Sequence, residues 1–178
     1  MTPSESNYSN IVEVNGVSFQ TEIQSIIPIP LFPWTENPVR LGIHVTNKTA
    51  KFLYFERLDS LEPFPNLIAR SGNVIEIDSD ILRLWVKGEP YYLVQPGEST
   101  FFSLETFLCR KLFNLQLKIY NEAGGFMYFN NLKHEKYQLQ IFYRVTGQKP
   151  ILPVEESNSV TSWCGEVTIP FVDFCIGN

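Results

Sequence analysis

The run from Tyr137 to Val145 constrains this chain more than any other stretch. Tyr137, Leu139, Ile141, Tyr143 and Val145 alternate with Gln138, Gln140, Phe142 and Arg144. A period of two places the first set on one face of an extended strand. A strand with one apolar face is stable only when that face is covered by another layer. The turn-like residues Lys133-His134-Glu135-Lys136 separate the strand from Leu132.

The same grammar recurs along the chain. Asn15-Gly16 sits between Val12-Glu13-Val14 and Val17–Ile23, and both turn residues tolerate positive φ, which predicts a tight hairpin. Leu41, Ile43 and Val45 alternate with Gly42, His44 and Thr46, and Phe52–Leu58 follows. Ser71-Gly72-Asn73 predicts a second hairpin joining Asn66–Ala69 to Val74–Ile77. Leu82–Val86 and Tyr91–Val94 read as further strands, and Gln148–Ser162 reads as a loop. Residues 99–121 fit two patterns. Phe101, Leu104, Leu108, Leu112, Leu115 and Ile119 match a helical stripe, while Leu115, Leu117 and Ile119 alternate. We read strands near Thr100–Glu105 and Leu115–Tyr120 with a short helical turn around Phe107–Leu112. Gly165–Phe174 gives a last strand that Pro170 confines to an edge or a bulge. About ten to twelve short strands with no amphipathic helix between them predict an all-β fold, as a sandwich or barrel. Residues 1–10 are polar and aperiodic and are expected to be a disordered tail; residues 11–178 are expected to form a single domain.

Charged residues make up 19% of the chain, below the roughly 25% of an average soluble protein. Some face is therefore expected to be apolar enough to want a partner. Net charge is −5. The basic residues are scattered, with Arg110-Lys111 the one adjacent pair, so no nucleic-acid footprint is expected. No apolar run reaches the roughly 20 residues that span a bilayer, and no leader pattern opens the chain. A cytoplasmic location is the expectation. It suits three unevenly spaced cysteines, Cys109, Cys164 and Cys175, which do not make a disulfide framework.

Reactive chemistry has little to stand on. The chain has two histidines and no nucleophile elbow. His44 falls on the strand face opposite Leu41, Ile43 and Val45, and His134 falls in a turn; both read as sheet or surface residues. Arg110 and Lys111 beside Cys109 would favour its thiolate, whereas a buried cysteine would simply pack. Glu76, Asp78 and Asp80 alternate and offer the oxygen ligands that calcium takes; a solvated strand end is the preferred reading, since a calcium loop usually adds glycine and carbonyl ligands. No cofactor and no enzymatic activity are expected.

Three segments together resemble a known architecture. Thr46-Asn47-Lys48-Thr49 closes a strand, Gln95-Pro96-Gly97-Glu98 turns into an aromatic strand, and Leu132, a turn and Tyr137 open another. The last is similar to the tyrosine corner of immunoglobulin-like domains. The order of segments resembles bacterial immunoglobulin-like domains, and among them the intracellular proteinase-inhibitor domain. Trp163-Cys-Gly-Glu-Val-Thr-Ile-Pro-Phe-Val172 also resembles the ending of uncharacterised bacterial all-β proteins. The resemblance implies an immunoglobulin-like antiparallel β-sandwich with extra strands and a non-catalytic role.

The functional candidates are accordingly surfaces. Ile29, Leu31, Phe32 and Trp34 lie in the proline-rich segment 26–34, whose stiff backbone loses little entropy on binding. Trp85, Tyr91 and Tyr92 are a second aromatic set; covering the sandwich edge and filling its core is the first reading of both sets. The expected function is recognition of another macromolecule, a protein first and possible inhibition included. The alternatives are a carbohydrate-binding sandwich, in which aromatic rings stack on sugars, and an enzyme whose site is assembled from distant residues.

Overall fold

In the computed structural model, residues 5–56, 64–80, 91–120, 125–145 and 160–177 are described. Every regular element in them is a strand: β1 (Ser6–Tyr8), β2 (Val12–Val14), β3 (Val17–Gln24), β4 (Ile26–Ile27), β5 (Glu36–Val39), β6 (Leu41–Asn47), β7 (Phe52–Glu56), β8 (Asn66–Ala69), β9 (Val74–Ile75), β10 (Ile77–Asp80), β11 (Tyr91–Val94), β12 (Ser99–Ser103), β13 (Thr106–Lys111), β14 (Asn114–Tyr120), β15 (Phe126–Leu132), β16 (Lys136–Gln140), β17 (Phe142–Val145), β18 (Val160–Ser162), β19 (Gly165–Thr168) and β20 (Val172–Ile176). The strand expected at Leu82–Val86 lies outside the described residues.

The predicted hairpins form. Asn15 (φ 53°) and Gly16 (φ 74°) join β2 to β3, and β8 pairs with β9 across Ser71-Gly72-Asn73. The first sheet runs β1-β3-β6-β12, with β2 also on β3. Ser6–Tyr8 stands where a disordered tail was expected. It forms β1 instead, because β2 covers only the first part of the β3 edge and Ser6↔Gln24 to Tyr8↔Glu22 fill the rest.

The second sheet runs β10-β15-β14-β13-β5. Here the helical turn expected at Phe107–Leu112 is corrected to strand β13. Thr106 to Lys111 pair residue by residue with Ile119 to Asn114, and that ladder satisfies the backbone polar groups a helix would have satisfied internally. Leu112-Phe113 makes the turn. The two sheets share long arms: Arg40 alone separates β5 from β6, only Leu104-Glu105 separate β12 from β13, and Leu104 N–H donates to Leu41 O at 2.9 Å.

Three further sheets run β11-β7-β18, β4-β20-β16-β8-β9 and β17-β19. The long strand expected through Val145 breaks at Ile141, where β16 leaves one sheet and β17 joins another. The alternation survives the break: Tyr137, Leu139, Ile141, Tyr143 and Val145 are all buried. The last predicted strand is likewise split, into β19 and β20 around Pro170, and Val160–Ser162, expected in a loop, pairs in parallel with β7.

The layers meet through aromatic rings. Phe19 from the first sheet lies 5.1 Å from Trp163 and 5.9 Å from Tyr143. Phe102, also from the first sheet, lies 5.8 Å from Phe55 on β7. The arrangement is all-β, multi-sheet and sandwich-like, with the core between the facing layers. At its corner, Lys133 N–H donates to the Tyr137 hydroxyl at 2.7 Å. That hydroxyl lies 3.2 Å from Lys133 O and 3.3 Å from the Glu135 carboxylate, and the ring stacks on Phe174 at 5.6 Å. Burial pushes the Tyr137 phenol up to about 12.

Candidate recognition surface

The proline-rich segment does not wander from the body of the protein. Arg110, in the last turns of β13, holds it: its Nη1 donates to Pro30 O at 3.2 Å and to Leu31 O at 3.0 Å. The backbone repeats the clamp, with Trp34 N–H donating to Arg110 O at 2.6 Å and Arg110 N–H to Thr35 O at 3.1 Å. Thr35 Oγ1 closes the loop on Phe32 O, and Asn37 Nδ2 ties Pro28 O. The segment is thereby fixed beside the hairpin Leu112-Phe113.

Five large apolar side chains share this end of the second sheet. Phe113 is 97% exposed, Leu31 77%, Phe32 69%, Trp34 68% and Leu112 54%. Burying each would yield roughly 1.5–3 kcal/mol, and the fold leaves that unused. Two of them also sit in the left-handed region, Trp34 at φ 67° and Leu112 at φ 38°. This conformation costs an L-residue roughly 1–2 kcal/mol and concentrates where function requires it. In the sequence, Leu112 belongs to the helical stripe and Phe113 falls between the expected helical turn and the next strand, so neither stands out as a surface residue. Their signal was two apolar residues in a hairpin turn, where glycine or asparagine is usual.

The remaining candidates are placed differently. Ile29 and Tyr92 pack against the core, and Tyr92 stacks on Phe102 at 4.5 Å. Trp85 and the side chain of Tyr91 lie outside the described residues.

His44, Glu22 and Arg40 form a charged cluster. Glu22 is buried; it accepts from Arg40 Nε, from Arg40 Nη2 at 3.2 Å, and meets His44 Nε2 at 2.6 Å. Burial pulls the Glu22 carboxyl up, but hydrogen bonds from Arg40, His44 and Ser6 outweigh it and hold the group at about 2. His44 packs on Phe101 at 4.8 Å and beside Tyr8 at 5.9 Å. Through it Ser6 on β1, Glu22 on β3 and His44 on β6 are tied together.

Cys109 is not activated by Arg110 and Lys111. Burial, with a hydrogen bond of 3.1 Å to Glu36, pushes its thiol up to about 12. Asp78 and Asp80 share a face of β10, and Glu76 lies at the crossing between β9 and β10. Among the described residues no group of three or more His, Cys, Asp or Glu is placed to hold a metal ion, and no helix is long and apolar enough to cross a membrane. A shallow depression of about 300 Å³ opens on the β8-β16-β20 surface beside Arg70, Lys136 and Asp173. The chain matches no family model, no curated protein and no solved structure with which it was compared.

Proposed function

We propose that this protein is a non-catalytic recognition module, an immunoglobulin-like antiparallel β-sandwich with extra strands, that grips a protein partner with its apolar loop tips. The clamped cluster of Leu31, Phe32, Trp34, Leu112 and Phe113 carries the reading. Aromatic anchors held rigid before contact are what hot spots consist of, and a structure that spends backbone strain on exposing them has a use for the exposure. The hydrogen bonds of Tyr137 to Lys133 support the immunoglobulin-like part, since that bond defines the corner. An inhibitory version rests on the resemblance to the intracellular proteinase-inhibitor domain. Unchanged turnover across a panel of serine proteases would remove it.

The test places a photo-crosslinker at the tip. Phe113→p-benzoylphenylalanine, irradiated in extract of the native cell, should yield one discrete protein adduct that excess unlabelled protein suppresses. Phe32→Ala with Trp34→Ala should abolish the adduct without moving the thermal midpoint, because both side chains lie in solvent. A diffuse adduct pattern, or one indifferent to the double substitution, refutes the reading. Flotation on phosphatidylcholine vesicles, undone by the same pair, would reassign the tips to a lipid surface.

A further inference from the structure

The outward face of the second sheet carries a different arrangement on different residues. Phe107 stands opposite Lys118, Lys118 opposite Tyr128, and Tyr128 opposite Asp78. One row on, Tyr120 stands opposite Phe126 and Phe126 opposite Asp80. Directly opposed residues share a sheet face, so four aromatic rings, a lysine and two aspartates occupy one surface. Leu108, Leu117, Ile119, Met127 and Phe129 fill the other face and are buried. The rings touch in sequence: Phe107 to Tyr120 at 5.6 Å, Tyr120 to Phe126 at 5.8 Å, Phe126 to Tyr128 at 5.6 Å.

Polar groups flank the rings from both edge strands, Asp78 and Asp80 on β10 and Glu36 on β5, with Lys118, Gln116 and Asn130 on the strands between. Gln116 Nε2 donates to Asn130 Oδ1 and Asn130 Nδ2 donates to Asp78 Oδ2, each at 2.7 Å. Lys118 Nζ lies 5.7 Å over the Phe126 ring and donates to Glu36 at 2.9 Å. Gln116 is 2% exposed, and its Oε1 has no hydrogen-bond partner. A buried acceptor without a donor is an exception that a folded protein seldom tolerates unused. With Glu36, Asp78 and Asp80 against Lys118 and Lys111, these side chains of the face still sum to negative charge.

We propose that this face binds a neutral saccharide chain. A sugar ring offers an apolar C–H face to an aromatic ring and a rim of hydroxyls that both donate and accept. Asp78, Asp80, Asn130 and Gln116 supply the matching partners. Carboxylates beside the rings offer charge-assisted acceptors to hydroxyl donors, and the negative balance repels anionic polymers and nucleic acid. The site is independent of the loop tips and stands or falls separately from them.

Native affinity electrophoresis through xylan, galactomannan, hydroxyethylcellulose or mixed-linkage β-glucan tests it, with heparin as the charged comparison. At least one neutral polymer should retard the protein and heparin should not. Tyr128→Ala and Asp78→Asn should each weaken the retardation about tenfold, as loss of one stacking or charge-assisted contact predicts. Both should keep the wild-type circular dichroism spectrum. Phe32→Ala with Trp34→Ala should migrate as wild type. No retardation by any neutral polymer, equal retardation by heparin, or retardation indifferent to Tyr128→Ala and Asp78→Asn would overturn the proposal.

Discussion

Replacing Glu22 with glutamine probes the charged cluster on the outer surface of the first sheet. Glu22 stands opposite Gly42 on β6, and the Phe101 ring roofs that glycine so closely that a Cβ there would meet its Cζ at 2.5 Å. The roof explains why a carboxylate on an outer face is only 2% exposed. The carboxyl stands at about 2 against an ordinary 4.5, and a difference of about 2.5 pH units corresponds to ~3 kcal/mol. Arg40 is 55% exposed, so solvent screening reduces this to ~1–2 kcal/mol. The sign follows from the lowered value. The stabilisation is complete above the unfolded value of 4.5 and is lost as pH falls toward 2. In urea titrations at pH 7, Glu22→Gln should therefore be ~1–2 kcal/mol less stable, lowering the thermal midpoint by a few degrees. The gap should about halve near pH 3 and nearly close at pH 2, where the wild-type side chain is itself becoming neutral. A gap that persists undiminished at pH 2, or no gap at pH 7, would show that the ionised carboxylate does not hold these strands together.

Tyr137→Phe keeps the ring on Phe174 and leaves Lys133 N–H without its partner; denaturant titration should show a loss of ~1–1.5 kcal/mol, and a change of only a few tenths would remove the corner from the stabilising contacts. The raised Tyr137 phenol adds a pH signature. The unfolded chain ionises near 10 and the folded one near 12, so stability falls across that window, and the fall should be smaller in Tyr137→Phe. Cys109 is buried with its thiol held near 12, whereas Cys164 is exposed; iodoacetamide at pH 8 should mark Cys164 and spare Cys109 in peptide mass spectra, and rapid native labelling of Cys109 would contradict that environment.

Local grammar carried most of the strand assignments. The alternation from Tyr137 to Val145 named five buried residues correctly because a period of two is a local property that packing only has to obey. Asn15-Gly16 placed a turn for the same reason. What failed was non-local. Leu108 and Leu112 read as one helical stripe with Leu104 and Leu115, and only the pairing of Thr106–Lys111 with Asn114–Ile119 separates them into a strand and a turn. Ser6–Tyr8 looks like a tail until the unoccupied edge of β3 is known. The switches at Ile141 and Arg40, where one extended run serves two sheets, leave no mark in composition.

The candidate sites follow the same division, and for a reason that applies to any protein built of many short strands. Leu31, Phe32 and Trp34 were legible because three prolines around them rule out a central strand, which forces apolar groups toward an edge. That Leu112 and Phe113 join them depends on the side chain of Arg110 reaching the carbonyls of Pro30 and Leu31, some eighty positions away in the chain. The aromatic face of the second sheet is less legible still. Phe107, Lys118, Tyr128 and Asp78 come from four strands, and they form a row only because three registers agree. A slip of one residue in any of them would turn that strand's contribution inward. The buried alternate residues Leu108, Leu117 and Phe129 are therefore what set the outward row. Core packing fixes the registers, and the registers decide which outward chemistry meets.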